Sequence, residues 1–205
     1  GHKALTANTT GGDNTALGRD ALGANTTASN NTALGRMSLL SNTTGAGNTG
    51  VGLSALRNNT TAANNTAVGM QALNINTTGA SNVAVGNDAL YANTTASNNT
   101  AVGKSALAAN TTGHSNTAFG QGAGDSITTG TGNTLIGLGA DTTAVDSANT
   151  VVLGVNVQGA TNYTTLGNGS NDIRAAHGNV TWATVSDQRY KKDIVDSTAG
   201  LSFIN

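Results

Sequence analysis

Apolar and polar positions recur along this chain with a fixed period, so that equivalent residues return at every seventeenth position. The unit is clearest at residues 65–69, which read Asn-Thr-Ala-Val-Gly. Self-similarity at a fixed period of this length is typical of a solenoid, in which successive coils of backbone stack on one another. We number the positions of a coil from its first Asn, so that Asn65 is position 1 and Gly69 is position 5. The glycine at position 5 recurs nine times without a slip, at Gly18, Gly35, Gly52, Gly69, Gly86, Gly103, Gly120, Gly137 and Gly154.

Positions 1–5 are predicted to form a short strand, in which alternate side chains face opposite ways. Position 3 is small in the first seven coils, and we expect it to face outward, where another chain packs closely against it. Position 2 is Thr or Val and is expected to face the interior together with position 4. Position 4 is apolar in every coil, at Leu17, Leu34, Val51, Val68, Val85, Val102, Phe119, Ile136 and Leu153.

Position 9 supplies a second predicted inner row, and the residues after it supply turns. Asn at position 12 suits a turn because its side chain bonds nearby backbone, and Asn rows in register can form ladders. Gly at position 5 is expected to take a positive φ at a corner. Two short strands and two turns then close each coil, and nine coils make a rod of about 43 Å. The inner row is Leu22, Leu39, Leu56, Leu73, Leu90 and Leu107.

The pattern divides the chain into unequal parts. Residues 1–120 are regular coils, and residues 121–157 are altered coils. After Leu107, position 9 becomes Gly124, Asp141 and then Gln158 at the start of the next part. Residues 158–185 lose the period, and their short apolar pieces predict an irregular β neck. The predicted fold is therefore an all-β parallel solenoid, or β-roll.

Each coil carries only about two sizeable apolar side chains, which is little against the conformational entropy lost on ordering the whole coil. A single solenoid of this composition is predicted to be marginally stable. Association through the small-residue face at position 3 would add burial, so we expect a closed symmetric oligomer.

Charge and candidate chemistry narrow the function classes. Charged residues are 9% of the chain and the net charge is −1, so electrostatics favour neither nucleic acid nor an anionic membrane, and no apolar run is long enough for membrane insertion. His114 and His177 are isolated, so no metal site is predicted. The glycine-rich residues 120–125 lack the context of a dinucleotide loop or a calcium roll, and no cofactor is expected. Asp is the sole acidic residue type and does not recur in register in adjacent coils, which argues against a paired-carboxylate glycosidase.

A row of threonines at position 13 raises one minor alternative. Flat Thr ladders on solenoids occur in some ice-binding proteins, although Thr also suits a turn. The row consists of Thr26, Thr43, Thr60, Thr77, Thr94 and Thr111.

The Asn-Thr-Ala-Val-Gly and Ala-Leu coils over residues 1–154 resemble the β-roll heads of trimeric autotransporter adhesins and similar repeats in phage tail fibres. The resemblance implies a parallel homotrimer that acts as the shaft or head of a virion tail fibre. Its expected partner is a host-cell surface glycan or protein. A trimeric adhesin head on a bacterial cell surface is the alternative.

Residues 186–194 read Ser-Asp-Gln-Arg-Tyr-Lys-Lys-Asp-Ile and resemble the start of the endosialidase-type intramolecular chaperone domain. In that family the domain helps three chains to fold and then cuts itself off. The resemblance implies cleavage between Val185 and Ser186, with Ser186 as nucleophile and Lys191 as its partner, and makes residues 186–205 only the start of that domain. A solvated charged segment is the alternative interpretation.

Overall fold

The computed structural model describes residues 1–170 and 172–178, and the backbone of residues 183–184. Over these ranges the chain is all-β, without a helix, and it winds into a parallel β-solenoid. One turn of the solenoid corresponds to one period of the sequence. The predicted fold class is confirmed.

Each regular coil contributes one strand of three residues, at positions 2–4. Twelve strands form one continuous sheet, with the order β1-β2-β3-β4-β5-β6-β7-β8-β10-β12-β13-β14, and β9 pairs with β11 in a second small sheet. The strands are β1 Thr15–Leu17, β2 Thr32–Leu34, β3 Thr49–Val51, β4 Thr66–Val68, β5 Val83–Val85, β6 Thr100–Val102, β7 Thr117–Phe119, β8 Thr134–Ile136, β9 Asp141–Thr142, β10 Val151–Gly154, β11 Gln158–Gly159, β12 Tyr163–Gly167, β13 Ile173–Ala176 and β14 Ala183–Thr184.

The sheet keeps a strict register through its regular part. Thr66 lies beside Val83, Ala67 beside Ala84 and Val68 beside Val85, and the same shift of one full period relates every neighbouring pair from β1 to β8. Equivalent side chains of successive coils therefore stand in straight rows along the solenoid.

The two faces of the strand are the reverse of the sequence prediction. Ala67 at position 3 is fully buried in the core, whereas Val68 at position 4 points outward and keeps 37% of its surface exposed. The Leu row at position 9 fills the interior and leaves room only for a small residue opposite. At Gly50, a Cβ alone would already be in van der Waals contact with Leu39, 3.4 Å from its Cγ, and would lie 2.5 Å from Oγ of Ser38. Position 3 is small because it faces the solenoid's own leucines, so the prediction that another chain packs on it was wrong.

Position 9 is inside the core of the regular coils, as predicted, but there it is not on a second strand. A second strand forms at this position only after the regular coils, as β9 and β11. The six leucines from Leu22 to Leu107 are completely buried and have φ between 50° and 52°. Their amides donate to the position-8 carbonyl of the next coil over 2.9–3.1 Å, as from Leu73 to Ala89. A left-handed conformation costs a non-glycine residue about 1–2 kcal/mol. Burial of a Leu side chain gains a similar amount or more, about 1.5–3 kcal/mol, which makes the conformation tolerable.

Two ladders of buried asparagines run beside the core, in line with the predicted Asn rows. At position 12, Nδ2 of Asn76 donates to Oδ1 of Asn59 in the preceding coil and to the Gly79 carbonyl in its own turn, both at 2.9 Å. At position 1, Oδ1 of Asn48 accepts from the Asn65 amide at 3.0 Å. These side-chain amides form hydrogen bonds with backbone N–H and C=O groups at the corners, where no neighbouring strand pairs with them.

Different residues fill the core in the altered coils. Gly124 replaces Leu at position 9, and Leu135 replaces Ala at position 3 of the next coil. An added Cβ on Gly124 would lie 2.7 Å from a methyl group of Leu135. The large side chain at position 3 therefore fills the space that the position-9 leucine fills in the regular coils. Ile127 replaces Asn at position 12, and the ladder ends at Asn110, whose buried Oδ1 has no partner within the described residues.

The last coil is shorter, and antiparallel strands follow it. Val151 of β10 pairs with Thr164 of β12, which is a smaller shift along the sequence than the regular period. The next two pairings, β12 with β13 and β13 with β14, are antiparallel. These strands lie in residues 158–185, for which the sequence predicts a neck.

Candidate functional site

The most prominent surface feature is a row of apolar side chains on the outer face of the sheet. We call the nine position-4 residues, Leu17, Leu34, Val51, Val68, Val85, Val102, Phe119, Ile136 and Leu153, the apolar stripe. All of them are exposed or half-buried, and the largest exposed fractions are 63% at Leu17 and 58% at Phe119. At about 4.8 Å per coil, the stripe is about 38 Å long.

The surroundings of the stripe contain further apolar groups, together with the exposed cations Arg19, Arg36 and Lys104 at position 6. Position 2, on the same face, holds only Thr or Val, including the exposed Val83. Across the glycine corner, position 6 adds exposed apolar side chains at Leu53, Met70, Leu138 and Val155. Single exposed apolar residues are ordinary on a protein surface, but a continuous row of this length is typical of an interaction surface.

A second feature, which the sequence did not predict, is a pair of aspartates in the altered coils. Asp141 occupies position 9, where its Oδ1 accepts from the Thr142 amide at 2.8 Å and its Oδ2 from the Ser126 amide at 3.3 Å. Partial desolvation of its carboxyl raises the pKa of Asp125, although the residue as a whole is exposed, and the charge and hydrogen bonding of the neighbouring Asp141 raise it further. The separation of the two residues in sequence is one position short of the period, so a search for acids in register misses them.

Replacement of Asp125 by Asn is expected to stabilise the protein at pH 7 but not at pH 3. A raised pKa means that the folded state disfavours the ionised carboxyl, so stability is lost as pH rises from the ordinary Asp pKa of about 3.9 through the folded value. Because Asp125 is exposed, solvent screens the repulsion and the gain stays below about 1 kcal/mol.

Thermal unfolding at both pH values measures this effect. Asp146→Asn, which changes an exposed aspartate in the same altered region, serves as the control, and its Tm should differ from that of the parent by the same amount at both pH values. A stabilising effect of Asp125→Asn that is equal at pH 3 and pH 7 would show that ionisation of the carboxyl, through its desolvation and its repulsion by Asp141, is not the cause.

The position-13 threonines use their hydroxyl groups within the solenoid. Oγ1 of Thr43 donates to the Thr60 carbonyl of the next coil at 3.0 Å, and the same bond recurs along the row at 2.9–3.2 Å. These hydroxyl protons are therefore already engaged and are not presented as a free lattice to water.

The structure keeps the two candidate histidines apart. His114 is exposed beside Ser115, and Nε2 of His177 lies 3.2 Å from Oγ1 of Thr164. Across residues 1–170 and 172–178, no group of three His or acidic side chains is arranged to hold a metal ion. Ser186 and Lys191 lie outside the described residues, so self-cleavage between Val185 and Ser186 stays a prediction.

Comparisons of the chain with protein-family models, with curated proteins and with solved structures find no match. Among the described residues there is no helix with the length and apolar character that crossing a membrane requires.

Proposed function

We propose that this protein is a structural fibre or spike component, a β-solenoid shaft or head that works as a parallel homotrimer. The proposed setting is a phage tail fibre that takes part in attachment to a host surface. The apolar stripe is the observation that carries the proposal, because it supplies the interface that association of such coils needs.

Exposure of the stripe to water is unfavourable for a single chain. Its nine side chains are apolar, and neither position 4 nor position 2 contains a charged residue. At about 25 cal/mol per Å² of apolar surface, covering the exposed part of nine such side chains gains on the order of 10 kcal/mol before the cost of association. That is the scale of a specific protein–protein contact.

A second copy of this chain is the partner that fits the stripe. Each copy carries the same row at the same spacing, so two solenoids that run parallel match coil against coil along their whole length. Closed symmetric assemblies are the usual outcome when one surface patch mediates self-association. The number of three copies and the tail-fibre setting are supported by the sequence resemblance to trimeric β-roll heads.

Mass measurement in solution tests this proposal. Sedimentation equilibrium or light scattering at micromolar concentration should give three times the 20.1 kDa of one chain. Val102→Asp, in the middle of the stripe, places one buried carboxylate per copy at the interface and should give the mass of a single chain with an unchanged β circular dichroism spectrum. Thr95→Asp is the matched control, because Thr95 is exposed at position 14 of the adjacent coil, and it should keep the trimer.

Two outcomes would contradict the proposal. One is a folded single chain for the unmodified protein, and the other is a Val102→Asp variant that keeps the full mass.

A further inference from the structure

A shallow groove lies on the flank of the solenoid, between the rows at positions 7 and 10. It spans three successive coils, has a volume of about 370 Å³ and is lined by Gln71, Asp88 and Ser105 from position 7 and by Tyr91 and Ala108 from position 10. We call it the Tyr91 groove. The other residues at position 10 in the regular coils are Thr, Gly, Leu, Arg and Asn, so the aromatic ring is a local departure from the repeat.

The backbone that carries the lining is hydrogen-bonded to the neighbouring coils on both sides of the groove. The amides of Gln71, Asp88 and Ser105 each donate to the position-6 carbonyl of the preceding coil, at 2.9, 3.0 and 2.8 Å. On the other side, the Tyr91 amide donates to the Asp88 carbonyl at 3.3 Å, and the Tyr91 carbonyl accepts from the Ile75 amide at 3.2 Å. A ligand would therefore meet a preformed surface and would not have to order a loop.

The polar groups in the groove are free to bind a ligand. Across the described residues, no side-chain hydrogen bond involves Gln71, Asp88, Tyr91 or Ser105, and the ion pair that is present joins other residues. Asp20 occupies the same coil position as Asp88 but pairs with Arg19 at 3.1 Å. The neighbour of Asp88 is instead Asn87, whose side chain bonds the Met70 carbonyl at 3.2 Å.

We propose that the Tyr91 groove binds a neutral saccharide of one or two rings. The Tyr91 ring offers an apolar platform for the C–H face of a pyranose. The Asp88 carboxylate accepts hydrogen bonds from sugar hydroxyl groups, and such charge-assisted bonds are the stronger kind. Gln71 and Ser105 lie one coil away on either side, about 4.8 Å each, and supply donors and acceptors for further hydroxyl groups.

The same chemistry disfavours other ligand classes. An anionic ligand is repelled by Asp88, and an apolar ligand leaves the amide, carboxylate and hydroxyl groups of the groove without partners. A compact ligand with many hydroxyl groups and an apolar face satisfies both sides. The site goes beyond the proposed fibre function, because binding requires only the stack of coils around residues 71–108.

Saturation-transfer NMR and calorimetry on the purified chain test the proposal with four defined probes, the methyl glycosides of glucose, galactose, mannose and N-acetylglucosamine. At least one is expected to bind with a Kd of about 10 mM or tighter. Tyr91→Ala should weaken that binding at least tenfold, and Asp88→Asn should weaken it about threefold or more, with unchanged circular dichroism. Arg57→Ala, which changes the same row two coils earlier, is the matched control and should bind as the parent does.

Failure of all four probes to bind, or binding that Tyr91→Ala leaves unchanged, would overturn the proposal. The outcome is separable from that of the fibre proposal, because the mass of the same sample is measured in parallel. A single chain that binds a glycoside through Tyr91 would support the groove proposal and contradict the trimer proposal. A trimer that binds none of the glycosides would support the trimer proposal and contradict the groove proposal.

Discussion

Replacement of Gly69 by Ala is expected to lower the free energy of unfolding by at least about 3 kcal/mol, or to prevent folding. Gly69 has a φ of 139°, a backbone conformation that residues with a Cβ rarely adopt. An added Cβ would also lie against the Gly86 carbonyl of the next coil, 2.6 Å from its carbon atom. The backbone has little room to move away, because the Gly69 amide donates to the Val51 carbonyl at 2.8 Å.

Urea unfolding followed by circular dichroism measures the loss. Gly12→Ala is the control, because an added Cβ at Gly12 would meet nothing within 4 Å, and its stability should change by no more than about 0.5 kcal/mol. Similar midpoints for the two variants would contradict the close stacking of position-5 glycines.

Replacement of Asn65 by Ala is expected to lower the free energy of unfolding by about 2–4 kcal/mol. Oδ1 of Asn65 accepts from the buried Asn82 amide at 2.9 Å, and that amide would be left without an acceptor. Nδ2 of Asn65 donates to the Gly79 carbonyl at 2.9 Å, but Asn76 also donates to this carbonyl. Loss of the Asn65 bond therefore leaves the carbonyl with a partner and costs less. The main cost is therefore one buried amide without a partner, together with the cavity that the missing side chain leaves.

The same denaturant titration measures this effect, with Asn58→Ala as the matched control. Asn58 is half-buried at position 11 and its side chain makes no hydrogen bond among the described residues, so its replacement should change stability by about 0.5 kcal/mol or less. Equal losses in the two variants would mean that the Asn ladder contributes nothing specific.

Several elements of the fold were predictable from single positions. The unbroken spacing of glycine implied stacked coils, and the positive φ of Gly69 and its equivalents is as predicted. The buried Leu row at position 9 and the Asn rows also agree with the structure. The prediction of a second strand in each coil was wrong for the regular coils, because the backbone at Leu73 takes a left-handed conformation that β-propensity does not anticipate. Such a strand forms only later, where β9 pairs with β11.

The sequence by itself determined the period, the positions that repeat and the residue types in each row, because equivalent residues in a solenoid occupy equivalent environments. Only the tertiary structure decided which face of the strand is inside. A small residue such as Ala67 fits a crowded core as well as a contact with another chain, and the two faces of so short a strand differ only in what lies opposite. The coil places the Leu row opposite position 3, which turns Val68 and its equivalents outward as the apolar stripe. The Asp125–Asp141 pair and the Tyr91 groove arise in the same way, because stacking brings together residues that are about one coil apart in sequence.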